Sequence, residues 1–432
     1  MQLVIALLLG LALVIFFILK TKIQAFPALL ISAIFIGLLA GMPTNEIMAS
    51  ISSGFGGTLS SIGIVIGLGV MMGKILEVTG GAKKMASVIL KLVGIKRTEV
   101  VLLLSGWLIS IPVFCDSGFV ILSELAKEFS RNTKKSMVKL GCCLGAGLYL
   151  THHLVPPTPG PLGVAAILGV DVGQLIIWGT IVSVLMMPVA LIYSKYISNK
   201  LPDIIPESTS EVKFTDENLP NGLMSFLPII VPVILILINT VSTAKGINNP
   251  IISIVGNPIT AILIGTLLAI YGLTASVSRD EVVRTLEASL ADAGLIICIT
   301  GAGGALGSVL RTSGIGDYVA NIIASSSFPP ILLPMIMSSL LKLSQGSGTV
   351  AMITTASILS PMISGLGISP LITTLAICVG AQCASIINDS YFWVVTKFSG
   401  MDVKVGLKAW STTTFVMSIT GCFIVFIFSF FL

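Results

Sequence analysis

Charge is what this sequence most lacks: Asp, Glu, Lys and Arg together make up 10% of its 432 residues, against 55% apolar ones. An ordinary soluble domain carries roughly 25% charged residues, so a water-soluble fold is excluded. Histidine is scarce as well, with two adjacent residues, and the seven cysteines are scattered through apolar stretches, with Cys142 and Cys143 the one neighbouring pair. That spacing offers no metal-ligand pattern, and neither a metal nor another cofactor is expected. There is no Gly-x-Ser-x-Gly elbow and no His-Glu-x-x-His, which argues against an enzyme. The repeated polar rings of a channel pore are missing. So are the alternating short strands of an outer-membrane barrel, because runs such as 184–192 and 226–238 are apolar all round. The first apolar segment, 3–19, has no basic residues before it and no small-residue cleavage site after it. It reads as a retained helix in a mature chain beginning at Met1.

What the sequence has in abundance is apolar stretches long enough to cross a hydrocarbon core about 30 Å thick, which takes about 20 residues of helix. Candidate spans fall near 2–19, 24–41, 58–77, 137–155, 172–192, 223–242, 257–273, 291–310, 368–387 and 409–431. Two further apolar regions, 99–126 and 329–362, are interrupted by polar, glycine-bearing sequence at 114–119 and 344–349. Each reads as a re-entrant hairpin. Treated so, Lys20 and Lys22, the basic residues from Lys83 to Arg97 and from Lys127 to Lys135, and Lys397, Lys404 and Lys408 all fall on one side, while the segments 41–54 and 156–169 on the other carry almost no Lys or Arg. The positive-inside rule makes the basic side cytoplasmic. Both termini are then outside, and the partner surface is the lipid of a cell inner (plasma) membrane rather than nucleic acid. The mixed-charge stretch 194–222 is a cytoplasmic linker between a first unit, 1–193, and a second, 223–432.

The two units repeat one another. Gly67, Gly69, Gly73, Leu76 and Gly80 recur 234 positions later as Gly301, Gly303, Gly307, Leu310 and Gly314. Ser117 to Val120 lies over Ser347 to Val350, and Cys143 to Ala146 over Cys378 to Ala381. About five spans and one hairpin per unit is an odd count, so the second repeat is inverted relative to the first. The expected fold is an all-α membrane protein of two inverted-topology repeats. Broken helices leave unpaired backbone groups at mid-membrane, and their N-termini favour an anion, so the hairpin tips are the expected binding site.

Certain side chains are costly in lipid without a purpose. Asp116, in Phe114-Cys115-Asp116-Ser117-Gly118, is an isolated carboxylate flanked by apolar sequence; Asp389, in Asn388-Asp389-Ser390, is similar. Both are candidates to take a coupling proton. His152 joins them because imidazole changes charge near neutral pH; His153 next to it points elsewhere on a helix and is given no role. Lys342 stands in an apolar arm just before Ser344, where a cation is a natural partner for a carboxylate substrate. Candidate substrate-binding residues are Ser117, Gly118, Thr151, His152, Lys342, Gln345, Gly346, Ser347, Gly348, Thr349, Asn388 and Ser390. Arg311 reads as an interfacial anchor.

At these residues the chain resembles the gluconate permease family of gluconate:proton symporters, within the wider ion-transporter superfamily. The resemblance runs over most of the chain and is most specific at 114–119, at Thr151-His152 leading into 156–161, at 345–351 and at 388–393. It implies proton-coupled uptake of a small organic anion, gluconate or a related sugar acid, and a homodimer. Carriage of D-serine, glycerate or another 2-hydroxy acid is the alternative, and sodium held by hairpin carbonyls and Asp389 is the alternative to a proton. Three positions depart from the usual pattern: Lys342 where relatives often have arginine, and Thr158 and Ile386 where they often have histidine.

Overall fold

The computed structural model describes residues 2–21, 23–206, 219–247, 249–275, 277–315, 318 and 329–432, which are helical or irregular with no strand among them. In the first part of the chain α1 (Gln2–Leu19), α2 (Ala25–Leu39) and α3 (Thr44–Val78) precede a short amphipathic helix, α4 (Gly81–Val93). Next come the pair α5 (Thr98–Ile109) and α6 (Cys115–Thr133), then α7 (Met137–Leu154), α8 (Pro159–Leu168) and α9 (Val172–Ser198). The second part holds α10 (Gly222–Ala244), the short α11 (Pro250–Val255), α12 (Pro258–Leu273) and α13 (Arg279–Thr312). A second pair, α14 (Leu332–Gln345) and α15 (Gly348–Leu359), is followed by α16 (Pro370–Gly380), α17 (Ser390–Phe398) and α18 (Val403–Phe428). Residues 207–218 of the linker lie outside the described residues.

Capping residues decide where many of these helices begin. Asp171 accepts from the Gln174 amide at 2.8 Å, Asn221 from the Leu223 amide at 2.9 Å, and Ser347 from the Val350 amide at 3.3 Å. Each satisfies a backbone donor that the first turn leaves without an intrahelical partner. Breaks fall at prolines. Pro112 separates α5 from α6, and Pro156-Pro157 separates α7 from α8, because proline has no N–H to continue the ladder and restricts the residue before it.

Among the described residues, α9, α10, α13 and α18 are long and apolar enough to cross a membrane as single helices, and the two segments of α3, Thr44–Ser60 and Gly63–Val78, bent by 45°, are so when taken together. Shorter apolar helices, α2, α12, α14, α15 and α16 among them, pack around these. Small residues bring backbones together where the side chains of a soluble core would stand. A Cβ on Gly147 of α7 would lie 2.1 Å from the Leu103 carbonyl of α5, and one on Gly54 of α3 would lie 2.4 Å from the Gly304 carbonyl of α13. In lipid such close approach supplies the dispersion contact that hydrophobicity no longer does. The repeated glycines follow suit: Gly73 abuts Pro112 of its own half and Gly303 abuts Ser357 of its own. Gly80 and Gly314 end the long helices α3 and α13 with φ of +75° and +72°, a conformation that side chains with a Cβ resist.

Three segments differ from the sequence reading. The chain is helical from Thr44, not a loop to residue 54; Asn45, Glu46 and Ser50 give that stretch the polarity of a loop, but they lie on the first turns of a helix that bonds back to Pro43. Within 156–169, Pro159–Leu168 is helix, since Pro159 and Pro161 sit in a first turn that needs no N–H from them. The span expected at 368–387 stops at Gly380, and 381–389 is irregular, with Ala384 at φ +23°.

Candidate substrate site between the helix breaks

Four breaks in the helices meet at one place. The α5–α6 tip brings Phe114, Cys115 and Asp116; the α14–α15 tip brings Gly346, Ser347, Gly348 and Thr349; the end of α7 brings Tyr149, His152 and His153; and the start of α17 brings Asn388, Asp389, Ser390 and Tyr391. With Lys342 they enclose a cavity of about 350 Å³, within the size range of small-molecule sites. Its wall is drawn from both halves of the chain.

Lys342 is buried, with its side chain 1% exposed, and its ammonium lies 2.7 Å from Asp389 Oδ2, whose side chain is 7% exposed. The same ammonium donates to the Gly346 carbonyl. Asp389 is held from two further directions: Ser385 Oγ donates to Oδ2 at 2.6 Å and the Tyr391 amide to Oδ1 at 3.1 Å. Asp389 is thus the N-cap of α17 as well as the counter-ion of Lys342. Taking either charge alone out of water costs several kcal/mol or more, so each holds the other in place. Asp116 is placed differently. Its Oδ1 accepts from Ser390 Oγ at 3.3 Å and Oδ2 lies 3.7 Å from Cys115 Sγ. Among the described residues it has no cation within salt-bridge reach.

The α14–α15 tip depends on its glycines. Gly346 has φ +79°, and a Cβ there would lie 2.1 Å from the Asn388 carbonyl. Asn388 in turn donates Nδ2–H to the Leu343 carbonyl at 2.9 Å, so the α16–α17 break and the hairpin tip are stitched backbone to side chain. A Cβ on Gly348 would lie 2.1 Å from His153 Nε2. His153 Nδ1 is 3.0 Å from the Tyr149 carbonyl; a carbonyl can only accept, so Nδ1 carries the proton and Nε2 of a neutral ring is left as an acceptor. Both His153 Nε2 and His152 Nδ1 are buried without a protein partner among the described residues. Behind them Tyr149 and Tyr391 stack with centroids 5.6 Å apart, Trp410 meets both edge-on, and Lys342 stands 5.9 Å over the Tyr149 ring.

Of the residues singled out in the sequence, Asp116, His152, Lys342, Gly346, Ser347, Gly348, Thr349, Asn388, Asp389 and Ser390 come together at this cavity. Three do not line it. Thr151 turns away, donating to the Trp107 carbonyl at 2.6 Å; Gly118 packs on Leu148, 2.6 Å from a Cβ built there; Ser117 sits one step beyond Asp116 on α6. The Gln345 side chain lies outside the described residues. Lys342, read as a substrate partner, is taken up by Asp389. Sequence reasoning assigned no role to His153 and passed over Phe114, Tyr149 and Tyr391. Aromatic residues in an apolar sequence carry no signal of their own, and the two adjacent histidines, with ring centroids 5.4 Å apart, both line the cavity.

Comparison with known proteins agrees with this architecture. The family model for GntP family permeases matches residues 1–431. An uncharacterized permease of Haemophilus influenzae is 41% identical over 95% of this chain and 89% of its own length. A gluconate permease of Pseudomonas aeruginosa is 32% identical over 93% of this chain and 92% of its own, and the D-serine transporter DsdX of Escherichia coli is 32% identical over 98% and 97%. The crystal structure of the YdaH transporter of Alcanivorax borkumensis superposes with a TM-score of 0.68 at 15% identity, covering 90% of this chain and 89% of that one; that likeness is one of fold. Proteins of this kind are transporters and not enzymes. Apolar spans, helix breaks around a polar cavity and a family match along nearly the whole chain lead to one conclusion: this multi-pass membrane protein belongs to the GntP permease family.

Proposed function

We propose that this permease imports a small organic anion, gluconate or a related sugar acid, by proton symport, and that the cavity between the helix breaks is where the anion binds. The observation that carries the reading is the contrast between the two carboxylates. Asp389 is committed to Lys342, whereas Asp116 faces the same cavity with a hydroxyl and a thiol for company. A carboxylate without a cation in a membrane interior is the group best suited to gain and lose a proton as the site loads and empties. The anion itself would be met by the N-terminus of α15 at Gly348 and Thr349, by the hydroxyls of Ser347 and Ser390, and by the amide of Asn388.

The architecture supporting this role is two inverted repeats. The order of elements recurs: α5–α6, the break after α7, α8 and α9 in the first half; α14–α15, the break after α16, α17 and α18 in the second. The two helix pairs are the re-entrant hairpins. Lys135 joins the feet of the first, donating to Glu99 at 2.6 Å and to the Lys96 carbonyl at 2.9 Å. These feet lie on the lysine-rich face, taken as cytoplasmic, where Ile204 of the linker also bonds to Ser136 and Met137. Both termini then lie outside an inner membrane, and the working unit is a homodimer.

A second reading, uptake of D-serine, glycerate or another 2-hydroxy acid, draws on the D-serine transporter among the relatives and on Asp116, which could face a substrate ammonium. Uptake into proteoliposomes decides between them. Gluconate, other sugar acids, glycerate and D-serine are offered under an inward proton gradient, a sodium gradient or neither. Proton-driven accumulation of gluconate or another sugar acid is expected; accumulation driven by sodium, or of D-serine alone, would replace the leading reading with the second or with sodium coupling.

A further inference from the structure

A second polar cavity, of about 340 Å³, lies away from the first. Its wall includes Ser53 and Thr58 of α3, Ser308 and Arg311 of α13, and Ser360 just beyond α15. Among the described residues lining it, Arg311 is the one that is charged. Arg311 Nη2 donates to Ser360 Oγ at 3.0 Å, and Ser360 donates onward to the Ile167 carbonyl at 3.3 Å. Among the described residues that is the one hydrogen bond the Arg311 side chain makes. A guanidinium forks several N–H donors, and among the described residues the exposed Arg311 has a protein acceptor for one of them. A wider cavity of about 700 Å³ adjoins, with Arg311 and Ser360 in both walls.

The place of this cavity matters as much as its lining. α8 and α15 both begin at the first cavity, where a Cβ on Gly160 would lie 3.6 Å from Thr349 Oγ1, and both end at the second, with Ile167 and Ser360 in its wall. Twelve residues of α15 cover about 18 Å. From Ala351 to Leu359 that helix is buried along its whole length. Two polar cavities therefore stand at opposite ends of one closed seam. A guanidinium that only anchored the chain at the lipid interface would have no use for a ring of serine and threonine hydroxyls. A fork for a carboxylate, with hydroxyls to meet those of a polyol chain, matches an acidic sugar.

We infer that the Arg311 cavity is a second binding site for the transported carboxylate, a loading site at the mouth opposite the first cavity. The inference rests on the reading of this chain as an organic-anion permease. Ser308, Thr58 and Ser360 supply the hydroxyl contacts and Arg311 holds the carboxylate.

Purified protein in nanodiscs of phosphatidylcholine alone is treated with phenylglyoxal, and modification of Arg311 is read by peptide mass spectrometry with gluconate, glycerate, D-serine or uncharged sorbitol present. One of the carboxylates is expected to slow modification about tenfold, as expected of a charge-assisted pair, and sorbitol to do nothing. Protection is expected to persist in Asn388→Ala, whose substitution lies in the first cavity. Equal modification with and without every carboxylate overturns the inference. So does protection that vanishes in Asn388→Ala, or protection conferred by adding anionic lipid and not by any carboxylate. Uptake by the same preparation is scored separately: transport without protection of Arg311 overturns this site alone, while protection without transport overturns the transport reading and the loading role with it, leaving only a carboxylate contact at Arg311.

Discussion

Lys342 and Asp389, 47 positions apart, form an ion pair of 2.7 Å whose two side chains are closed to solvent. The pair ties the arm of the second hairpin to the start of α17, and it takes up the lysine that the sequence alone offers to a substrate. Replacing Lys342 with Met strands the Asp389 carboxylate, at a cost of about 3–5 kcal/mol. The double variant Lys342→Met/Asp389→Asn is expected to recover most of that loss in thermal unfolding of the purified protein. A single variant as stable as the parent would show that the two charges do not depend on one another.

Asp116 bonds to Ser390 across the two halves of the chain. Asp116→Asn keeps the shape and the hydrogen-bond acceptor of that side chain but cannot change charge. Accumulation against a gradient is expected to disappear while exchange of labelled for unlabelled substrate continues. Gradient-driven uptake equal to that of the parent would remove Asp116 from the coupling role.

Gly346 is held at φ +79° against the Asn388 carbonyl. An alanine there pays about 1–2 kcal/mol for the left-handed backbone alone and must also push Asn388 aside. Gly346→Ala is expected to lower substrate affinity about tenfold or more, seen as a raised KM with protein still in the membrane. An unchanged KM would mean that the tip does not shape the site.

Gly348 leaves room for His153 Nε2, which a Cβ would overlap at 2.1 Å. Gly348→Ala is expected to lower the unfolding temperature, and adding His153→Ala to restore it in part, because the smaller side chain removes the clash. If the second substitution lowers the unfolding temperature further, the two positions do not share that space.

Much of the helical plan is legible from composition and pattern. Apolar runs of the right length give the spans, and prolines and polar interruptions give both tips; the cap at Asp171 and the left-handed turn at Gly314 come with the structure. The isolated carboxylates and the lysine announce themselves because charge in an apolar stretch is expensive. Polar helix is harder to see. The turns from Thr44 and the short helix from Pro159 carry the composition of loops, and both pack closely, Gly54 on Gly304 and Gly160 beside Met352.

Scarcity of charge, the length of the apolar runs and the positions of their breaks settle, from the sequence by itself, that this chain lives in a bilayer with polar groups gathered at a few interruptions. Which of those groups face one another is a matter of tertiary structure. Nothing in the local sequence of Lys342 distinguishes a carboxylate 47 positions away from a dissolved one, nor separates Asp116 from Asp389, nor turns Arg311 toward a cavity rather than a headgroup. Electrostatic partnership in a medium of low dielectric is set by distances of a few ångströms between distant segments, and those distances exist only once the helices have packed.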